Sequence, residues 1–328
     1  MRAPVMAAAL ASGLALWGAA GAQTAAVPVS PAPADPIPEL SELVVVAHPQ
    51  GPALWRVRRG DSTLIILGAV SPLPQQLRWN ERPVIAALDG ARLLLTPPKP
   101  DLGPMQVLGL ITTNVWKVRQ GQALEPSLPA PLRARFVAAR THAWQPPSRY
   151  AHWKPAVAGF LLLSDYRRSW GFSEAKPGST VENLAKDMHI PQKQIASYRI
   201  GLLMKVAARL DDAQNLACLA DTLDQMEFEG AHPQDLDDDW ARGDIRAVAA
   251  RYRAAPLQRC LLRAPGAQAL IDAELAKAGD RLWDELGKPG KTVAVIDLAW
   301  LMPQGGLLDR LKARGAQIDA PPALAEPS

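Results

Sequence analysis

The sequence predicts an α/β fold: a mixed central β-sheet built from N- and C-terminal βαβ segments, with a large α-helical insert between them. Three observations lead there. Leu64-Ile65-Ile66-Leu67 is a continuous apolar run, the pattern of a strand covered on both faces. Thr292-Val293-Ala294-Val295-Ile296 repeats that pattern near the other end of the chain. Between them the apolar spacing changes to intervals of 3 and 4, the period of packed helices. The composition agrees: of 328 residues, 48% are hydrophobic and 21% charged, enough apolar surface for a substantial core. The 36 Lys+Arg stand against 32 Asp+Glu, a balance too even for a nucleic-acid-binding protein.

The elements follow in order. Met1–Ala22 reads as a secretory signal: Arg2 is the positive start, Val5–Trp17 the apolar stretch, and Ala20-Gly21-Ala22 the cleavage site. The stretch is too short for a comfortable membrane span, which needs roughly 20 residues. The alternative is an uncleaved anchor. Removal of the signal places the mature chain in the periplasm or outside the cell, with no membrane span. Residues 23–49, rich in Pro and Ala around a short Leu43–Val46 run, read as a flexible leader. The folded domain is expected over residues 50–320, its helical insert over about 105–286, and a disordered tail over 321–328.

Ala53–Arg59 and Thr63–Ala69 are β-rich runs joined by Gly60-Asp61-Ser62, a hairpin signal. Glu81–Gly90 carries Val84, Ile85, Ala87 and Leu88 at helical spacing, and Gly90 ends it. Arg92–Leu95 is the next strand, which makes a βαβ unit with parallel strands. In the insert, Leu203, Val206, Leu210, Ala213, Ala217 and Ala220 form one helical stripe, with Asp211, Asp212, Asp221 and Asp224 off it. Ile271, Leu275, Ala278, Leu282 and Leu286 form another. Pro146-Pro147, Pro177-Gly178 and Pro265-Gly266 mark breaks. After the late strand, Gly305–Arg314 is a helix closed by Gly315, and Ala316–Ile318 a last short strand. Cys218 and Cys260 are the only cysteines. In an oxidising compartment they are a candidate disulfide, worth about 4 kcal/mol from loop closure. Two separate buried thiols are the alternative.

Chemistry in such a sheet belongs at the carboxyl ends of its parallel strands. Here those ends are Gly68-Ala69-Val70-Ser71, Thr96-Pro97 and Asp297-Leu298-Ala299-Trp300. Around them lie Pro52-Ala53-Leu54-Trp55-Arg56-Val57, Ser62–Pro74, Ala91–Thr96, Trp240-Ala241-Arg242-Gly243-Asp244, and Val293–Leu301 followed by Gly306-Leu307-Leu308, Leu311 and Gly315. These segments resemble the TraB/PrgY/GumN family, related to the Tiki metalloproteases, over about residues 50–320. The resemblance implies a metal-dependent peptide-processing or peptide-binding ancestor. Its metal-binding and catalytic groups are two G-x-x-H motifs and a Glu. In this chain the two His positions hold Ser71 and Trp300, the Glu position holds Thr96, and the Gly of the second motif is Asp297. Hydroxyls are poor neutral ligands and an indole offers only an N–H donor. The expectation is a non-catalytic homologue without a metal cofactor, a binding or regulatory protein. Its cleft, floored by Gly68, Ser71, Thr96, Asp297 and Trp300, would take a peptide or a glycan-like ligand. The alternative is an active hydrolase using other residues of the same cleft.

Other candidates are weaker. Asp235-x-Asp237-x-Asp239 opens like a calcium loop, but Trp240 and Arg246 stand where the loop needs Gly and an acid. Among His48, His142, His152, His189 and His232 there is no metal-binding spacing. His142 and His152 lie near Trp144, Tyr150 and Trp153, which reads as helix packing or as an aromatic cleft. Ser71 lacks a nucleophile elbow and an assignable base. Asp297 can bind a cation or amine, or cap the next turn.

Overall fold

A two-residue turn, Gly60-Asp61, joins β1 (Leu54–Arg59) to β2 (Ser62–Ala69) as an antiparallel hairpin, with Arg59 opposite Ser62. Gly60 has φ +53°, the left-handed conformation that such a tight turn demands. The computed structural model describes residues 51–100, 115–198, 207–231, 235–254 and 257–321. The signal, the leader, the tail beyond residue 321, Leu203, Val206, His48 and His232 lie outside them. Among the described residues, no helix is long and apolar enough to cross a membrane.

From the hairpin the chain runs through β3 (Leu73–Pro74), α1 (Arg82–Leu88), β4 (Ala91–Thr96) and β5 (Lys99–Pro100). The helical middle begins with α2 (Leu124–Ser127), α3 (Ala130–His142) and α4 (Pro155–Ser169). It continues with β6 (Phe172–Ser173), α5 (Gly178–Asp187), β7 (Gln192–Gln194) and β8 (Ser197–Tyr198). Next come α6 (Asp212–Ala231), α7 (Asp235–Ala241), α8 (Ile245–Ala254), α9 (Leu257–Arg263) and α10 (Ala267–Leu286). The chain then returns through β9 (Gly290–Asp297), α11 (Leu298–Leu301), α12 (Leu307–Ala313) and β10 (Gln317–Asp319).

Both ends of the chain build one six-stranded sheet, in the order β10-β1-β2-β9-β4-β7. β2, β9, β4 and β7 are parallel, whereas β1 is antiparallel to both β2 and β10. The expected mixed α/β sheet is therefore present, and β2 and β9 are its buried centre. The middle of the chain is not a purely helical insert, since it supplies the edge strand β7. The polar, exposed run Gln192-Lys193-Gln194 carries no apolar alternation and is ordered by main-chain pairing to β4. The core also recruits Val181, Ala185, Trp240, Ile245 and Val248 from the middle.

One helix differs from its expected frame. α6 starts at Asp212, after Leu210. The Asp211 carboxylate accepts from the Gln214 N–H at 2.7 Å, and the Gln214 side chain accepts from the Asp211 N–H at 3.0 Å. This reciprocal cap overrides the apolar periodicity that runs through residue 210 in the sequence. The buried face becomes Asn215, Cys218, Leu219, Thr222, Leu223 and Met226, while Ala213 is exposed. Asp221, expected outside, is buried and accepts from Arg259 and Arg263, each at 3.0 Å. The α10 stripe is as expected, with Ala278, Leu282 and Leu286 buried.

The helical middle has its own polar hub. Asp165, 3% exposed, accepts from Tyr150 Oη at 2.6 Å, Arg149 Nη2 at 2.9 Å and Arg168 Nη2 at 2.5 Å. Burial alone would push this carboxyl up, but these partners outweigh it and hold it below the usual carboxylate range. A buried carboxylate is tolerable only when satisfied in this way.

Cys218 on α6 and Cys260 on α9 are joined as a disulfide, their Cα atoms 4.6 Å apart. The bond closes the loop that contains α7 and α8. Reduction, or a Cys218→Ser/Cys260→Ser variant, should lower stability by about 2–4 kcal/mol. Urea unfolding with and without reductant measures this, and the variant should show no reductant effect.

Candidate functional site

β2 and β9 end in register, Ala69 beside Asp297, and β4 ends at Thr96 on the other side of β9. Three adjacent parallel strands thus present their carboxyl ends together, although residues 69 and 297 are far apart in sequence. Gly68, Thr96 and Asp297 share this edge. Ser71 lies two residues beyond β2, and Trp300 lies in α11, immediately after β9.

Gly68 is sterically required. A Cβ there would collide with the Trp55 ring and lie 2.5 Å from Leu298 Cδ2. Its carbonyl accepts a buried hydrogen bond from Trp240 Nε1 at 2.7 Å. Trp240 is fully buried, and Trp79 packs edge-on against it at 5.4 Å. Three residues on, Gly243 has φ +75°, and a Cβ there would lie 2.9 Å from the Gly51 carbonyl oxygen. Asp244 then caps α8 by accepting from the Ala247 N–H at 3.0 Å. Trp240-Ala241-Arg242-Gly243-Asp244 is therefore a structural clasp that closes α7 and α8 onto the start of β1 and the end of β2.

The polar groups at the edge are mostly committed. Ser71 Oγ donates to the Glu174 carbonyl at 2.9 Å, beside the short β3–β6 pairing. This bond ties the end of β2 to the loop after α4. Asp297 is the N-cap of α11 and accepts from the Ala299 N–H at 2.8 Å. Thr96 is 3% exposed, and its carbonyl accepts from the Ile195 N–H at 3.0 Å. Trp300 is half-buried against the sheet core. This donor set does not fit a first-row metal, which needs imidazole, thiolate or several carboxylates. Among the described residues, no three His, Cys, Asp or Glu side chains are grouped to hold one.

The remaining candidates scatter. His142 stacks on Trp170 and tilts against Tyr166, each at 5.0 Å, while His152 and His189 are exposed. The aromatic residues near His142 do not form one cleft: Tyr150 is buried on Asp165, and Trp144 is 87% exposed. The Asp235-x-Asp237-x-Asp239 run lies in a helix, so Asp237 and Asp239 point to different sides. Asp239 pairs with Arg242 and Arg251.

Asp237 entered the sequence reading only as part of a weak calcium-loop pattern, and its burial was missed. It is 4% exposed, and among the described residues its Oδ2 has no hydrogen-bond partner. Burial, with the neighbouring Asp238 charge, pushes its carboxyl up to about 7. The available signal was its place three residues before Trp240, on the same helical side as a core residue.

Two outcomes follow. Trp240→Phe keeps a ring but leaves the Gly68 carbonyl unpaired, and should cost roughly 1–3 kcal/mol in urea unfolding. For Asp237, the native carboxyl binds its proton more tightly than the unfolded one. Its stabilising effect is complete below the unfolded value near 4 and lost as pH rises through about 7. Asp237→Asn should therefore be more stable than the parent by roughly 2–4 kcal/mol above that range. The difference should shrink as pH falls toward about 4, measured by denaturation across pH.

No curated protein and no solved structure matches this chain. A family model does, over the span that contains the hairpin, the clasp and all three strand ends. It covers residues 53–320, and the chain belongs to the TraB/PrgY/gumN family.

Proposed function

We propose that this protein is a non-catalytic member of its family, exported through the N-terminal signal, that acts as a binding or regulatory protein. The strand-end platform is retained while the metal donors are replaced. The observation that carries this reading is the commitment of the two polar side chains best placed for chemistry. The Ser71 hydroxyl hydrogen bonds to the Glu174 carbonyl, and Asp297 caps the turn that follows β9. A nucleophilic serine needs a base within hydrogen-bond reach, and Ser71 instead donates its proton to a main-chain oxygen. Trp300, in place of a ligand, presents an aromatic ring suited to stacking on a peptide side chain or a sugar face. The proposed ligand is accordingly a peptide or glycan-like molecule.

The test is elemental analysis of the purified mature protein, offered Mn, Co, Fe or Zn in excess and then desalted. The reading predicts no stoichiometric metal. One tightly held metal per chain would overturn it and return the protein to the metallohydrolases.

A further inference from the structure

One face of the sheet carries a groove that the strand-end chemistry does not use. α1 packs over β4 and β9. On the same face, the β1–β2 hairpin extends past the flank of this helix. The resulting groove has a volume of about 230 Å³. Its apolar wall is Leu54, Trp55 and Ile65 from the hairpin with Pro83, Ala86 and Ala87 from α1. This is larger than the roughly 150 Å³ cavity that accommodates a benzene ring.

Two cations complete the lining, Arg56 and Lys291. Register puts them on one face: Arg56 is directly opposite Ile65, and Lys291 opposite Thr63, two residues before Ile65 on β2. Among the described residues, the Arg56 side chain has no hydrogen-bond or ion-pair partner. Lys291 Nζ makes a long contact of 3.4 Å to the Ala86 carbonyl. Among the described residues no acidic side chain lines the groove, and Asp319, directly opposite Arg56 across the β1–β10 pair, is engaged by Arg58. The contrast with the rest of the surface is informative. Arg58, the neighbour of Arg56 on the same hairpin strand, pairs with Asp319, and Arg92 at the start of β4 pairs with the buried Glu285.

We propose that this groove binds a small organic anion with an apolar body, a medium-chain or single-ring carboxylate. The hydrocarbon part lies against Ile65, Pro83 and Ala87, and the carboxylate sits between Arg56 and Lys291. An apolar wall alone would accept any hydrophobic molecule. Two cations at its rim, neither in an ion pair among the described residues, select for negative charge, because a carboxylate there gains charge-assisted hydrogen bonds that a neutral or cationic analogue cannot make. None of the strand-end positions Gly68, Ser71, Thr96, Asp297 or Trp300 lines the groove, and its Lys291 end is remote from them. Lys291 begins β9 and Asp297 ends it, six residues or about 20 Å away along the strand. The proposal therefore stands or falls independently of metal loss.

Calorimetric titration of the full mature protein with octanoate tests it, with octylamine and octanol as controls of equal chain length. The expected result is one octanoate site per chain, with either control at least about tenfold weaker. Arg56→Ala and Lys291→Ala, both at the rim and outside the core, should each weaken octanoate about tenfold or more. Ala86→Phe, on the exposed side of α1, should fill the groove and abolish binding with an unchanged far-UV spectrum. Absence of octanoate binding would overturn the proposal. So would equal binding of octylamine, or octanoate affinity unchanged in both cation variants.

Discussion

The hydrogen bond from the Trp240 indole to the Gly68 carbonyl organises the molecule. It links the helical middle of the chain to the end of the central strand β2, between residues 172 positions apart. A buried strand-end carbonyl without a partner would be costly, and the Trp240 indole N–H satisfies it. The same glycine must lack a side chain because Trp55 and Leu298 close over it. Trp240 in turn needs α7 to turn sharply into α8, which Gly243 permits by its left-handed conformation and its close approach to Gly51. These residues of ordinary type thus fix where β2 stops, where α11 starts and how the middle of the chain sits on the sheet.

Under the proposed function, this arrangement lets the fold persist while the chemistry at the strand ends changes. Gly68, Trp240 and Gly243 meet demands of packing and main-chain hydrogen bonding, which are independent of what occupies the positions beyond the strands. Ser71, Thr96, Asp297 and Trp300 lie outside that demand. Each serves the local structure instead. Ser71 tethers the Glu174 loop, Thr96 ends a buried strand, Asp297 is a cap and Trp300 packs a half-buried ring. The sheet supports these positions, but it does not dictate their chemistry.

Much of the fold was legible because its signals are local. The hairpin turn, the apolar runs of β2 and β9, the α1 spacing and the α10 stripe each lie within one segment. The strand ends were also legible as a site, since parallel strands impose it. What escaped depended on partners distant in sequence or on competing local signals. β7 is a polar tripeptide made a strand only by β4. Asp165 gathers Arg149, Tyr150 and Arg168, and nothing in their spacing marks a common hub. The Asp211-Gln214 cap was readable, yet an apolar stripe through Leu210 concealed it. Asp237 resembled its acidic neighbours until the burial of Trp240 placed it inside.

The most direct test of the account follows the indole N–H signals of Trp240 and Trp300 by NMR, during hydrogen exchange and during titration with cobalt(II). The account places Trp240 among the slowest-exchanging indoles in the metal-free protein, with neither signal displaced stoichiometrically by cobalt. Rapid exchange of Trp240 without metal, or protection and signal shifts that arise as one equivalent of cobalt binds, would contradict it. The strand ends would then be held by a metal instead of by the Trp240–Gly68 hydrogen bond.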